Sequence, residues 1–263
     1  APLVSSVNDL LGRLKDSIGT QKRFLADAAH QLKTPLAGLR MQADLAQRKD
    51  AGEEELKQSL KQIGRASVQA THTVNQLLSL ARAEGGGAID FQSCDMEALI
   101  SEVLNDSLPH AMDKGLDLGY DGVNTAAKRR FLKLQGNPTL LKEMIRNLVD
   151  NAIHYTPSTP ESLGIITVRL LVDPYSQAIA VQVEDNGPGI AAAERERVFE
   201  PFYRALGSNV DGSGLGLPIV REIAQRHGAS VTVDVAHPGQ TPPGACFTIR
   251  FAPESTQIRN SAL

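Results

Sequence analysis

His30 stands in Ala26-Asp-Ala-Ala-His30-Gln-Leu-Lys-Thr-Pro35-Leu, inside a long helical pattern otherwise made of seam residues and small fillers. Seam-type apolar positions fall at Leu25, Ala28, Leu32, Leu36, Leu39 and Ala43, at spacings of three and four. His30 lies two residues from the nearest seam position on either side, so its ring is expected in water. An imidazole so placed can accept a phosphoryl group or carry a proton. Thr34 follows one turn later on the same helix face. A lone helical histidine more often only decorates a solvated face, and the rest of the chain is what argues for chemistry here.

Three further stretches carry reactive or ligand-binding groups. In Asn147-Leu-Val-Asp-Asn151-Ala-Ile-His154-Tyr155, two amides sit one turn apart on a helix that is otherwise apolar on its inner face. Buried amides need partners, and amide oxygens also suit a hard cation such as Mg²⁺ that bridges to phosphates. Asp185-Asn-Gly187-Pro-Gly189 follows an expected strand directly; its carboxylate can accept from an exocyclic amine while the glycines let a ring approach the backbone. Gly212-Ser213-Gly214-Leu215-Gly216-Leu-Pro218 opens a helix, where exposed backbone donors make an anion site. It is neither a dinucleotide fingerprint nor a lysine-bearing phosphate loop. Between the last two, Val198-Phe199-Glu-Pro-Phe202-Tyr-Arg204 offers aromatic anchors for a long loop of the lid type. Each stretch alone also reads as a cap, a tight turn or a connection; their order does not.

The elements that must position these groups follow from pattern. Residues 1–84 read as helix, broken once at Lys49-Asp-Ala-Gly52, with Gly52 suited to cap the end of the first helix. Leu3, Val7, Leu10, Leu14 and Ile18 carry a heptad-like repeat with a stutter. Pro35 removes one helical donor and is expected to bend the helix just past His30. Leu56, Leu60, Ile63, Ser67, Ala70, Val74, Leu77 and Ala81 form a strict heptad seam on the second helix, with His72 on its solvated face. Two antiparallel helices with seams and little else to bury invite a second copy into a four-helix bundle. Gly85-Gly-Gly87 marks the domain boundary. Beyond it the expected order is a strand at Ala88–Gln92, a helix capped by Asp95, strands at Leu116–Tyr120 and Phe131–Leu134, and a helix opened by Asn137-Pro138. A hairpin of Ile165–Val172 with Ala178–Glu184, a helix at Leu217–His227, and strands at Ser230–Val235 and Cys246–Phe251 complete it. The fold class is α+β: a helical hairpin, then one mixed sheet with helices on one face.

Composition limits the alternatives. With 263 residues, 41% hydrophobic and 22% charged, the chain holds one large or two medium domains of ordinary globular type. A net charge of -3 gives no electrostatic case for nucleic acid. Cys94 and Cys246 are isolated and fit a reducing compartment. No apolar run nears the roughly 20 residues of a membrane span. The chain opens in mid-pattern at Ala1 rather than at a methionine and reads as a fragment, with room for a membrane anchor in an upstream part.

On these residues the chain resembles the cytoplasmic part of a bacterial two-component sensor histidine kinase. His30–Pro35 is similar to the phosphoacceptor box, Asn147–Tyr155 to the N box, Asp185–Gly189 to the first glycine box, Phe199–Phe202 to the F box and Gly212–Gly216 to the second glycine box. The resemblance implies a HAMP-end signalling helix over 1–19, a dimerisation and phosphotransfer hairpin over 20–84, a linker over 85–89, a catalytic ATP-binding domain over 90–255 and a tail over 256–263. It implies autophosphorylation of His30 from ATP and transfer to an aspartate of a response regulator, with Thr34 placed for the reverse dephosphorylation. The implied nucleotide set is Asn147, Asn151, His154, Tyr155, Asp185, Gly187, Gly189, Ile190, Phe199, Phe202, Arg204, Gly212, Ser213, Gly214, Leu215 and Gly216, with Mg²⁺ on Asn151 and Asn147. A homodimer forming the cytoplasmic part of an inner-membrane protein is implied as well. Two positions depart from the pattern: Gln31 stands where the family often has an acidic base, and His154 where a lysine or arginine is common. An amide cannot take a proton, so Asn147 with water, or slow chemistry, is expected instead. A phosphatase-biased module that binds ATP but phosphorylates poorly is therefore the alternative. An ATP-driven clamp of the gyrase type would share the pocket but lack the histidine hairpin.

Overall fold

Heptad-spaced apolar residues in the first third produce two long helices, α1 (Pro2–Ala46) and α2 (Glu53–Glu84), in this computed structural model. It describes residues 2–48, 52–84, 90–122, 132–173, 175–204 and 212–252. Pro35 lies inside α1 as expected. The turn differs from expectation at Gly52. Its carbonyl accepts from Leu56 N at 3.0 Å and its N–H donates to Glu55 Oε2 at 3.3 Å. Gly52 is thus the N-cap of α2, with Glu55 closing half of a capping box, rather than the C-cap of α1. Three glutamates, Glu53, Glu54 and Glu55, crowd that first turn and complement the helix dipole, which favours capping on this side of the break. Gln42 and Leu45 of α1, with Arg48 just beyond its end, line a hollow with Glu55, Ser59 and Gln62 of α2, so the two helices form an antiparallel hairpin.

The expected seams divide. Ala28 on α1 and Ser59, Thr73 and Gln76 on α2 are buried, whereas Leu25, Leu36, Leu56, Leu60 and Val74, all read as seam, are exposed. Within one chain the buried positions of the hairpin are small or polar, and these four leucines and Val74 are exposed. A helix in a four-helix bundle needs a stripe wide enough for two neighbours, and one hairpin covers only half of it.

Residues 80–263 form a second compact unit, 1–79 being the first. Its first strand is β1 (Gln92–Asp95), a few residues later than expected; Ala88 and Ile89 lie outside the described residues. Asp95 then caps α3 (Met96–Asp113), its Oδ1 accepting from Glu97 N and Ala98 N at 3.0 and 3.2 Å. β2 (Leu116–Asp121) and β3 (Lys133–Gly136) follow. Asn137 Oδ1 accepts from Leu140 N to start α4 (Pro138–Tyr155). Then come β4 (Gly164–Val172), β5 (Ile179–Asp185), two 3₁₀ turns at Ala192–Glu194 and Arg197–Phe199, α5 (Gly216–Arg226), β6 (Ala229–Val235) and β7 (Ala245–Phe251).

Five strands make one mixed sheet in the order β2-β4-β5-β7-β6, parallel only between β2 and β4. The single sheet expected is corrected in one respect: β1 and β3 pair with each other as a separate antiparallel ribbon, Gln92 opposite Gly136. Strand alternation turns Ile166, Val168, Leu170, Val181, Val183, Phe247 and Ile249 inward, where α3, α4 and α5 cover them with Ile100, Met144, Ile145, Leu148, Ile219 and Ile223. Each such side chain contributes about 1.5–3 kcal/mol on burial. The opposite face of the sheet is polar, carrying an ion-pair network of Arg169 with Glu184 and Asp121. Residues 253–263, which include the expected tail, lie outside the described residues.

Candidate active site

The site gathers at the C-terminal end of α4. This helix must be apolar on the side that packs on the sheet, so its amides are confined to the flank. Asn147 is only 7% exposed, and its Nδ2 donates to Glu143 O at 2.9 Å and Glu143 Oε1 at 3.2 Å. That commitment turns Oδ1, a hard oxygen, to the other side. Asn151 follows one turn later and is half-buried. His154 and Tyr155 end the helix with rings edge to face at 5.3 Å. Lys114 Nζ donates to the carbonyls of Ile153 and His154 at 3.1 and 3.3 Å, closing the last turn from α3.

Asp185 ends β5 beside this helix terminus and is 6% exposed. The N–H groups of Gly187 and Ala245 both donate to its Oδ1, at 2.9 and 3.3 Å. Both donors go to Oδ1; no donor of the described residues reaches Oδ2. Burial pushes the Asp185 carboxyl above its ordinary range, and the two backbone donors and His237 oppose that rise. A Cβ on Gly187 would lie 2.9 Å from Asp185 Oδ1 and 3.3 Å from Tyr155 O, so glycine is required for the turn to close on α4. Gly189, at φ +73, leaves only 2.8 Å between a Cβ and Gly244 O. Gly244 N in turn donates to Gly187 O at 3.0 Å. Ile190 is half-buried next in the chain.

The second glycine stretch reaches the same place. A Cβ on Gly212 would lie 3.7 Å from Tyr155 Oη and 4.0 Å from His154 Nε2. Ser213 is buried and accepts from Leu215 N at 3.2 Å, while Leu215 is fully buried as an apolar plug under the start of α5. Gly216 is the first residue of α5, whose opening turn has no side-chain cap. Its backbone donors are therefore available to an anion. Phe199 is buried, edge to face with Phe247 at 6.4 Å. Phe202 takes φ +64 and Arg204 is exposed.

In the helical unit, His30 is exposed on α1, as the seam spacing required. Thr34 Oγ1 donates to His30 O at 3.5 Å, one turn on, and Gln31 is half-buried. The structure therefore brings the end of α4 at His154 and Tyr155 together with Asp185, Gly187 and Gly212, and Phe202 against Gly214, and it sets His30, Gln31 and Thr34 on one helix of the other unit.

Ala245 and Gly244 escaped the sequence reading, although Pro243-Gly244 just before a strand was the available signal. Arg197, Arg221 and Glu194 escaped it too, because ring and ion-pair partners far apart in sequence leave no spacing to read.

The comparisons agree with this arrangement. Residues 20–86 match the His Kinase A (phospho-acceptor) domain, and residues 136–255 match the histidine kinase-, DNA gyrase B-, and HSP90-like ATPase family. The chain is 34% identical over 239 residues to sensor protein QseC of Escherichia coli K12, covering 90% of this chain and 50% of that protein. It is 33% identical over 257 residues to the signal transduction histidine-protein kinase/phosphatase MprB of a Mycobacterium species, covering 95% and 47%. The chain thus spans about half the length of the curated relatives it matches. A solved structure of a mycobacterial sensor histidine kinase MprB superposes with a TM-score of 0.51 at 29% identity, covering 62% of this chain and 97% of that one. A phospho-acceptor domain followed by an ATPase domain of this class, with nine-tenths of this chain aligned to sensor kinases, places the chain in the two-component sensor histidine kinase family.

Proposed function

We propose that the chain acts as a dimeric protein-histidine kinase that transfers the γ-phosphoryl group of ATP to its own His30 and then to an aspartate of a response regulator. Dephosphorylation of that regulator is the second activity. The observation that carries the reading is the convergence of Asp185, Gly187, Gly212 and the end of α4 in a chain that also exposes His30.

Asp185 Oδ2 accepts from the exocyclic amine of adenine, and Gly187 and Gly189 let the base lie against the backbone. The N–H groups at the start of α5 receive the phosphates. Asn147 and Asn151 would hold Mg²⁺, and the oriented Asn147 Oδ1 suits that cation. Held there, Mg²⁺ would supply positive charge to offset that of the triphosphate. His30 Nε2 attacks the γ-phosphorus in line; the bond to the ADP oxygen breaks with its electron pair, and the proton on the other ring nitrogen leaves to water. Arg204 and His154 offset charge that develops on the transferring group. With no carboxylate next to His30, Asn147 orients rather than deprotonates. Thr34 positions water to hydrolyse the regulator's aspartyl phosphate, which releases inorganic phosphate and the free carboxylate.

The exposed leucines of α1 and α2 support pairing with a second copy. Residues 1–19 serve as the signalling helix and 85–89 as the linker, in the cytoplasmic part of an inner-membrane protein. No helix among the described residues is long and apolar enough to cross a membrane. A phosphatase-biased balance is the second reading, favoured by Gln31.

Incubation with γ-labelled ATP and Mg²⁺ tests this. Acid-labile, base-stable label that vanishes in His30→Gln is expected; full labelling of that variant, or none of the parent chain, overturns the kinase reading.

A further inference from the structure

The turn that offers Asp185 is covered by the hairpin of residues 236–244, between β6 and β7. Ala245 N, where this hairpin enters β7, donates to Asp185 Oδ1 at 3.3 Å, and Gly244 N donates to Gly187 O at 3.0 Å. The two backbones lie so close that a Cβ on Gly244 would run into Asp185 O, and a Cβ on Gly189 would stand 2.8 Å from Gly244 O. A shift of the hairpin is therefore a shift of the N–H that orients the carboxylate.

The hairpin is held at His237. Its N–H donates to Pro243 O at 2.8 Å and its carbonyl accepts from Gln240 N at 3.1 Å, so its backbone closes both the neck and the tip. Its side chain reaches outward: Nε2 lies 3.7 Å from Glu184 Oε1, on the residue that precedes Asp185. Among the described residues this is the ion pair that joins the hairpin to β5. At that distance the contact is electrostatic rather than a hydrogen bond, so it exists only while the ring is charged. The other oxygen of Glu184 is held by Arg169 of β4, which also meets Asp121 of β2.

The remaining ionisable groups of this corner are Asp185 of β5, Cys246 of β7, whose thiol burial pushes up, and Asp234 of β6, which pairs with Arg195. A protonated His237 thus faces two carboxylates, Glu184 and Asp185, and opposes the rise that burial imposes on the Asp185 carboxyl.

We propose that His237 is a positioning residue for ATP, clipping the hairpin to Glu184 so that the Ala245 N–H stays on Asp185 Oδ1. This rests on the nucleotide reading above. His237 touches neither base nor phosphate in this role. The clip weakens as pH rises through the range in which an imidazole gives up its proton.

The test is the Kd of the intact chain for a fluorescent ATP analogue with Mg²⁺, at about pH 6 and about pH 8.5, on either side of that range. His237→Gln is expected to bind about threefold more weakly than the parent at the lower pH, the scale of a partly exposed ion pair, and equally at the higher one. His237→Arg keeps its charge throughout; it should match the parent at the lower pH and bind about threefold more tightly at the higher. In a Glu184→Gln background, His237→Gln should add little. A loss of equal size at both pH values is the mark of a merely structural residue and overturns the proposal, as does an unchanged Kd at both or a full further loss in the Glu184→Gln background. Should His237→Gln melt early, His237→Arg against the parent decides, and a ratio that does not change with pH overturns the clip. A parent chain that binds no analogue defeats the nucleotide reading and this proposal with it, whereas a parent that binds with flat ratios defeats this proposal alone.

Discussion

The N–H of Phe202 donates to the carbonyl of Gly214 at 2.9 Å, and both residues sit in the left-handed region, at φ +64 and +70. A strained phenylalanine and a glycine that adopts the same region freely therefore share one hydrogen bond. Gly214→Ala adds a Cβ 2.8 Å from Phe202 Cα at an angle disfavoured for alanine. It should cost about 1–3 kcal/mol of local stability and most of the ATP affinity. Nucleotide titration with parallel thermal melts checks this; unchanged affinity would show the contact to be incidental.

Asp185→Asn separates folding from binding. The asparagine Oδ1 can still accept from Gly187 and Ala245, but Nδ2 replaces the oxygen left for the adenine amine and meets it donor to donor. Nucleotide affinity should fall about tenfold to a hundredfold. Stability should move the other way. The folded carboxyl titrates above its ordinary 3.8, so the parent loses stability as pH rises from about 3.8 through that raised value. The asparagine variant lacks this loss and should melt no lower than the parent at pH 7.

His227 gives the opposite pH signature. Its Nε2 accepts from Asn137 N at 3.1 Å, its Nδ1 donates to Ile223 O at 2.8 Å, and Phe91 stacks on it at 5.1 Å. Burial holds its pKa below the ordinary 6.5. The folded chain therefore keeps the neutral ring, and this stability is complete above pH 6.5 and declines as pH falls from there towards the lowered folded value. His227→Gln should melt lower at pH 7.5 yet lose less between pH 7.5 and 5.5 than the parent. Equal slopes would remove His227 from the account.

Leu36→Asp and Leu60→Asp probe the outward stripe of the hairpin. Each leucine is more than half exposed in one chain, at 55% and 56%. If a second copy covers them, each aspartate should turn a dimer into a monomer in sedimentation at micromolar concentration without unfolding residues 90–252. A parent chain that sediments as a monomer argues against the bundle.

Gln31→Glu places a carboxylate next to His30 and should speed autophosphorylation several-fold, because proton transfer by a positioned base contributes to this step. Thr34→Ala should leave labelling of His30 intact and slow regulator dephosphorylation. Rapid quench of labelled chain measures the first, and decay of phosphorylated regulator the second.

Local patterns were enough for much of this molecule. Asp95 and Asn137 start their helices because a short acceptor side chain satisfies N–H groups two or three residues ahead, a purely local requirement. The exposed position of His30 followed from seam arithmetic, and the glycines at 187, 189, 212 and 214 stood out because few other reasons cluster them. Where local signals were ambiguous, distant contacts decided. Gly52 became an N-cap because Glu55 reaches back to it, and the seam split because a single hairpin covers only one flank of each helix. The pairing of β1 with β3 away from the main sheet depends on a partner about 40 residues distant in the chain. The closing of Asp185 by Ala245 and the seat of Phe199 under Arg221 are of the same kind. Spacing along a chain fixes which side chains share a face; it carries no information about which face of another element they will meet, and the second half of this site is built from those meetings.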